Sequence, residues 1–212
     1  FDVVYPKRIP FPFDGFHTAR GNAAKDSQVF TKELLLGNLD RDWISARSVQ
    51  QRNRAYEVLD CSWGVIGNDG SVRMIPSNDA VRSIIELLES QLGDAETSET
   101  KKPMNMGEIT RLLCSPPYGC NIASAGMILA FFIGRRKNEL NLMKDNQTIS
   151  FENWLQEAMP GNFFDLSVLD NTDVVRVSKE SLSEWEILFD EWELEPTLNG
   201  KVRFRNKALE LK

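Results

Sequence analysis

The sequence has no uninterrupted apolar run of the roughly 20 residues needed to cross a bilayer, and no amino-terminal stretch with the pattern of a secretory leader. No membrane partner is therefore expected, and the chain is placed in the cytoplasm. Histidine is almost missing: His17 stands alone. Cysteine is scarce, with only Cys61, Cys114 and Cys120. So few ligands, without the usual close pairs, argue against a zinc site or a disulfide framework and favour buried free thiols in a reducing compartment. A Cys–His nucleophilic pair can be written on paper, but nothing in the sequence brings His17 to a thiol. Also missing are Gly-x-x-x-x-Gly-Lys-Ser/Thr, Gly-x-Gly-x-x-Gly, His-Glu-x-x-His and Gly-x-Ser-x-Gly. No cofactor, metal or catalytic residue is expected, and the chain does not read as an enzyme. Excess positive charge is lacking too. The net charge of −6 disfavours nucleic acid unless the fold gathers a local basic patch.

What is present is the composition of a folded protein, with 42% hydrophobic and 26% charged residues over 212 positions. The chain opens on Phe1 rather than Met and reads as an excised piece of something longer. Its first 16 residues, FDVVYPKRIPFPFDGF, combine prolines that forbid a helix with aromatics that need a packing surface, so an extended arm across the core is expected. A polyproline ligand for a partner domain is the sharper alternative.

Residues 27–36 predict a short helix stopped by Gly37, and Asp40 begins a longer one expected to run through Asp60. Alternating apolar residues around Asn68-Asp69-Gly70 predict a β-hairpin. Ser77 or Asn78 then caps an amphipathic helix whose buried stripe is Val81, Ile84, Ile85, Leu88 and Leu92. Residues 94–105 are polar and read as a linker. They divide the chain into an N-terminal helical module with a hairpin, 1–93, and a second module, 106–212.

The second module is organised by the stretch 107–150. Ile109, Leu112 and Leu113 give a first helix one apolar face. Pro116-Pro117 must end it, Gly119 can take the positive φ of a tight turn, and Asn121 can cap the helix that follows. That helix, expected over Ile122 to Arg136, is apolar on nearly every side and so belongs in a core. A hairpin follows, Leu140 and Leu142 alternating with polar residues before Asp145-Asn146-Gln147. Helix–turn–helix–hairpin is the winged-helix order. The expected fold class is therefore α+β, α-rich, in two modules, the second winged-helix-like around a buried helix. A helix over 151–159, a strand over 173–177, a helix from a Ser178 cap to Leu194 and a peripheral basic tail complete the reading.

Two surfaces remain as candidates for contact. Glu184, Glu186, Asp190, Glu191, Glu193 and Glu195 surround Trp185 and Trp192, and helical spacing makes the acids a solvated face or a dock for a basic partner rather than a magnesium or glycosidase-type site. DNA is the competing partner. The second helix of the pair offers no base-reading side chain before Arg135, so contact would go through phosphates from Arg135, Arg136, Lys137, Lys144, Lys201, Arg203 and Arg205.

The structural motif Pro116-Pro117-Tyr118-Gly119, followed by Asn121, the apolar helix and ELNLMKDNQTISFENWL, resembles an interior module of the large P-loop ATPases of BREX-type and related bacterial phage-defence systems. The likeness spans about 106–158. It implies a non-catalytic scaffold or interaction module downstream of a nucleotide-binding domain. Its partners would be other domains of the parent protein or other proteins of the defence system.

Overall fold

The computed structural model describes residues 3–12, 16, 18, 20–92, 103–177 and 179–210, with side chains described for 187–208 of the last stretch. The fold is α-rich α+β. In chain order the elements are α1 (Asn22–Leu36), α2 (Arg41–Ser45), α3 (Val49–Ala55), a π-helical stretch (Tyr56–Ser62), α4 (Asp79–Gln91), β1 (Met104–Asn105), α5 (Met106–Cys114), α6 (Ile122–Gly134), β2 (Leu140–Lys144), β3 (Gln147–Ile149), α7 (Phe151–Ala158), α8 (Leu166–Asp170), β4 (Thr172–Arg176), α9 (Lys179–Leu194) and α10 (Leu198–Glu210).

Helix α6 is the centre of the molecule. Every residue from Ala123 to Gly134 is buried, as expected for a helix with no polar face. Its start is fixed by a reciprocal cap. The Ser124 N–H donates to the Asn121 side chain and the Asn121 N–H donates to the Ser124 hydroxyl. Helix α1 packs along it, and the approach is close because Gly134 has no side chain: a Cβ there would lie 1.9 Å from the Leu34 carbonyl oxygen. Gly37 ends α1 in the left-handed conformation (φ 73°), its N–H returning to Leu34, which is the stop its sequence position predicts.

The four-stranded antiparallel sheet has the order β1-β4-β2-β3. Asp145 and Asn146 both take positive φ and close β2 onto β3 as a two-residue hairpin, with Lys144 paired to Gln147. The helix–turn–helix–hairpin order is present, and β4 enters between β2 and β1, pairing Leu142 with Val174 and Met104 with Val174 on its two sides. Residues 104–105, read in sequence as the end of the linker, are this edge strand. Residues 94–102 lie outside the described residues.

Other expectations need correction. The helix expected from Asp40 to Asp60 is three pieces, because Asp40 and Ser48 each cap a new start, accepting from Trp43 and Gln51 N–H groups. Its last part widens into the π-helical stretch, which buries Val58 and Leu59 on one side. The Asn68-Asp69-Gly70 turn forms, but only the single bridge Ile66–Val72 flanks it, so no strand ladder develops. Leu112 does not join Ile109 and Leu113 in the core and remains 37% exposed. The basic tail is a helix, α10.

One hydrophobic cluster runs from Ile9 and Phe16 through α1, α4 and α6 to Val174, so residues on both sides of 93–102 share a core. The link is also electrostatic. Glu89 on α4 is ion-paired with both Arg136, just after α6, and Arg176 on β4. Among the described residues no helix is long and apolar enough to cross a membrane.

Candidate functional site

The Pro-Pro-Tyr-Gly turn is built from its ends inward. Helix α5 stops at Cys114, and the Ser115 carbonyl accepts from both the Tyr118 and Gly119 N–H groups, 3.0 Å each. The Cys120 N–H reaches back to Leu113. Gly119 has φ 60°, and a Cβ on it would lie 2.4 Å from the Tyr5 ring. The N-terminal arm thus closes over the motif. The Lys7 N–H donates to the Pro117 carbonyl at 3.1 Å, and the Lys7 ammonium sits 5.7 Å from the centre of the Tyr118 ring. Farther along, the Trp63 indole donates to the Pro10 carbonyl at 2.7 Å. The arm lies across the core, as its prolines and aromatics predict.

Between arm and turn is a cavity of about 310 Å³, lined by Arg8, Phe11, Cys120, Asn121 and Ser124 among others. Cys120 is a poor nucleophile there: burial pushes its thiol up to about 12, and the Ser124 hydroxyl offsets this only in part. Burial raises the Cys114 thiol as well. Cys61 is exposed. His17 lies outside the described residues. No group of three metal-ligating side chains occurs among the described residues.

The candidate nucleic-acid contacts fall in three places, the end of α6, the end of β2 and α10, and most of them have protein partners. Arg136 is only 7% exposed, paired with Glu89 and stacked 4.5 Å from the Phe132 ring centre, so it is withdrawn from any surface contact. Arg135 is half-buried at a cleft it shares with Asp40, Asp42 and Asp69. Lys137 donates to the Leu36 carbonyl at 3.0 Å and tethers α6 to α1. Lys144 is ion-paired with Glu157, which raises its pKa. Lys201 lies over the Trp192 ring at 4.4 Å, while Arg203 and Arg205 are exposed on α10.

The C-terminal helices form the surface that sequence reading missed as a unit. Helices α9 and α10 make their principal packing contact with one another. Their joint is pinned by Glu195, which accepts from the Thr197 N–H (3.0 Å) and hydroxyl (2.6 Å), while the Thr197 hydroxyl accepts from Gly200. These bonds hold the Glu195 carboxyl below its usual range. Between the helices runs a groove of about 220 Å³, walled by Leu188, Phe189, Trp192, Phe204, Arg205 and Ala208. Ile187, Leu194 and Leu198 are exposed outside it. The signal in the sequence was the spacing Leu188, Phe189, Trp192, but a groove needs the second helix, and the tail reads as too polar to predict one. Trp185, Glu184 and Glu186 have no described side chains. Comparison with protein-family models, with curated proteins and with solved structures finds no match to this chain.

Proposed function

We propose that this chain is a non-catalytic interaction module of a larger ATP-dependent bacterial phage-defence protein, and that it docks through the α9–α10 hairpin. The carrying observation is the exposed apolar surface of that hairpin. Phe189 is 58% exposed and Leu198 80%, beside an open groove floored by apolar side chains. A monomer rarely leaves such a patch uncovered, and aromatic anchors in a groove are the usual centre of a protein contact. The Pro-Pro-Tyr-Gly turn, clamped by the arm just before the Asn121 cap of α6, supports the reading as a structural joint rather than a reaction centre. The wider context rests on the resemblance of 106–158.

The test is site-specific photocross-linking in cells, with a photoreactive phenylalanine at position 189 or 202 and a control at 147. Protein adducts at 189 and 202 that are absent at 147 are expected. Equal labelling at all three positions would remove the hairpin from its role.

A second reading, phosphate contact with DNA, has one observation in its favour: Lys201, Arg203, Arg205 and Lys207 lie on one helix. Helical spacing sets Lys201 and Arg205 about 120–160° from Arg203 and Lys207, so they do not form a single stripe. Duplex binding between about 20 and 300 mM salt tests this reading. A steep log–log slope would promote it, and no binding at the lowest salt would dismiss it.

A further inference from the structure

The charges around the hairpin groove fit a second copy of the same surface. We propose that two copies associate through their α9–α10 hairpins as a four-helix bundle, in which α9 of each copy lies antiparallel to α10 of the other. This rests on the docking reading above and names the partner.

The first argument is from packing. In a lone hairpin each helix has one helical neighbour. In a bundle it has two, and the side chains between them become core. Leu188, Phe189, Trp192, Phe204 and Ala208 already line a groove of that kind, open on one side. A second hairpin would close it with Phe189 and Trp192 as the buried anchors.

The second argument is from charge. Helix α9 carries Asp190, Glu191 and Glu193 near its end, and α10 carries Lys201, Arg203 and Arg205 at its fourth, sixth and eighth positions. Glu191 and Glu193 stand in the last turn of α9, where carboxylates oppose the helix dipole, whereas on α10 only Lys201 is near the N-terminal turn. Nothing basic lies in the last turn of α9 and nothing acidic in the first turn of α10. Among the described residues, Asp190, Glu191, Glu193 and Arg205 make no ion pair, whereas Lys201 and Arg203 already act on the Glu195 carboxylate of their own copy.

A purely basic partner would suit α9 and repel α10, and a purely acidic one the reverse. A second copy supplies both signs in matching order. With the two-fold axis along the bundle, the helices alternate α9, α10, α9, α10. Both turns then lie at the same end, which puts the last turn of each α9 level with the first turns of the facing α10. The contact is made twice by symmetry. The groove supplies the affinity and the charges set the orientation.

Sedimentation velocity on the whole chain tests this. A reversible monomer–dimer equilibrium is expected, with a dissociation constant on the order of 10 µM. It should weaken several-fold between about 50 and 500 mM salt. Phe189→Glu should abolish the dimer while leaving the far-ultraviolet circular dichroism unchanged. Glu191→Lys with Glu193→Lys makes both helices basic, and Lys201→Glu with Arg205→Glu makes both acidic. Each charge variant alone should be monomeric, and an equimolar mixture should recover a heterodimer. A chain that is monomeric throughout, a dimer indifferent to Phe189→Glu, or a mixture that stays monomeric would each overturn the proposal. If the chain is monomeric while photoadducts to another protein form at position 189, this inference falls and the docking reading stands. Neither dimer nor adducts would sink both.

Discussion

Gly119 is held at φ 60° with the Tyr5 ring packed where a side chain would begin. Gly119→Val should therefore lose about 1–3 kcal/mol from backbone strain, with a further loss from displacing the arm. Urea melts would read the loss, and equal midpoints for mutant and parent would show that neither constraint matters. The thiols offer a second test at this scale. Because burial raises Cys120 to about 12, a disulfide reagent at pH 8 should modify exposed Cys61 in the native protein and Cys120 only on unfolding. Asp170 offers a third. Two hydrogen bonds from the Arg111 guanidinium, 2.6 and 2.7 Å, lower its pKa. A carboxyl whose folded pKa is depressed stabilises the fold above its unfolded value, near 3.9, and that contribution is lost as pH falls through the folded value. Arg111→Met should flatten the acid limb of stability below about pH 4, read from melting temperature against pH. An unchanged acid limb would remove this pair from the acid response. Gly119 and the Asn121 cap were legible in the sequence because turn and cap chemistry is local. Tyr5 and Asp170 were not, since each meets its partner only after chain segments more than 50 residues apart have been brought together.

At the scale of elements, α6 and its neighbours set the energetics. Phe131 is fully buried, and Phe131→Ala should cost about 3–5 kcal/mol. Gly134→Ala is the sharper test. Alanine ordinarily favours a helix over glycine by about 1 kcal/mol, yet here its Cβ would strike the Leu34 carbonyl and force α1 away. Destabilisation is expected, and a gain in stability would show that α1 and α6 do not approach as described. The period of the sequence predicted that α6 is buried. It could not predict which helix would cover it, because an all-apolar surface carries no preferred face. The error at 40–60 has the opposite origin. Apolar periodicity there continued past Ser48, and the serine's capping bond, a single local interaction, outweighed it.

The whole molecule carries a core that crosses 93–102, reinforced by Glu89 between Arg136 and Arg176. Glu89→Ala would leave the buried Arg136 guanidinium without its carboxylate. A cost of about 2–3 kcal/mol is expected, less than for a fully buried pair because Glu89 keeps partial access to water. A shared core also predicts one cooperative unfolding transition, with tryptophan fluorescence and circular dichroism coinciding in urea. Two separated transitions would mean that the parts before and after 93–102 unfold independently. The sequence by itself determined the α-rich class, the turn and cap at 116–121, the burial of α6 and the path of the arm, because these follow from backbone chemistry and from apolar residues that must leave water. Only the tertiary structure decided that β4 inserts beside β1, that Arg136 is drawn into an internal ion pair, and that α10 pairs with α9 around an open groove. Those outcomes depend on which distant segments meet, and in a single sequence the energy of such a meeting is divided between two places that do not mark each other.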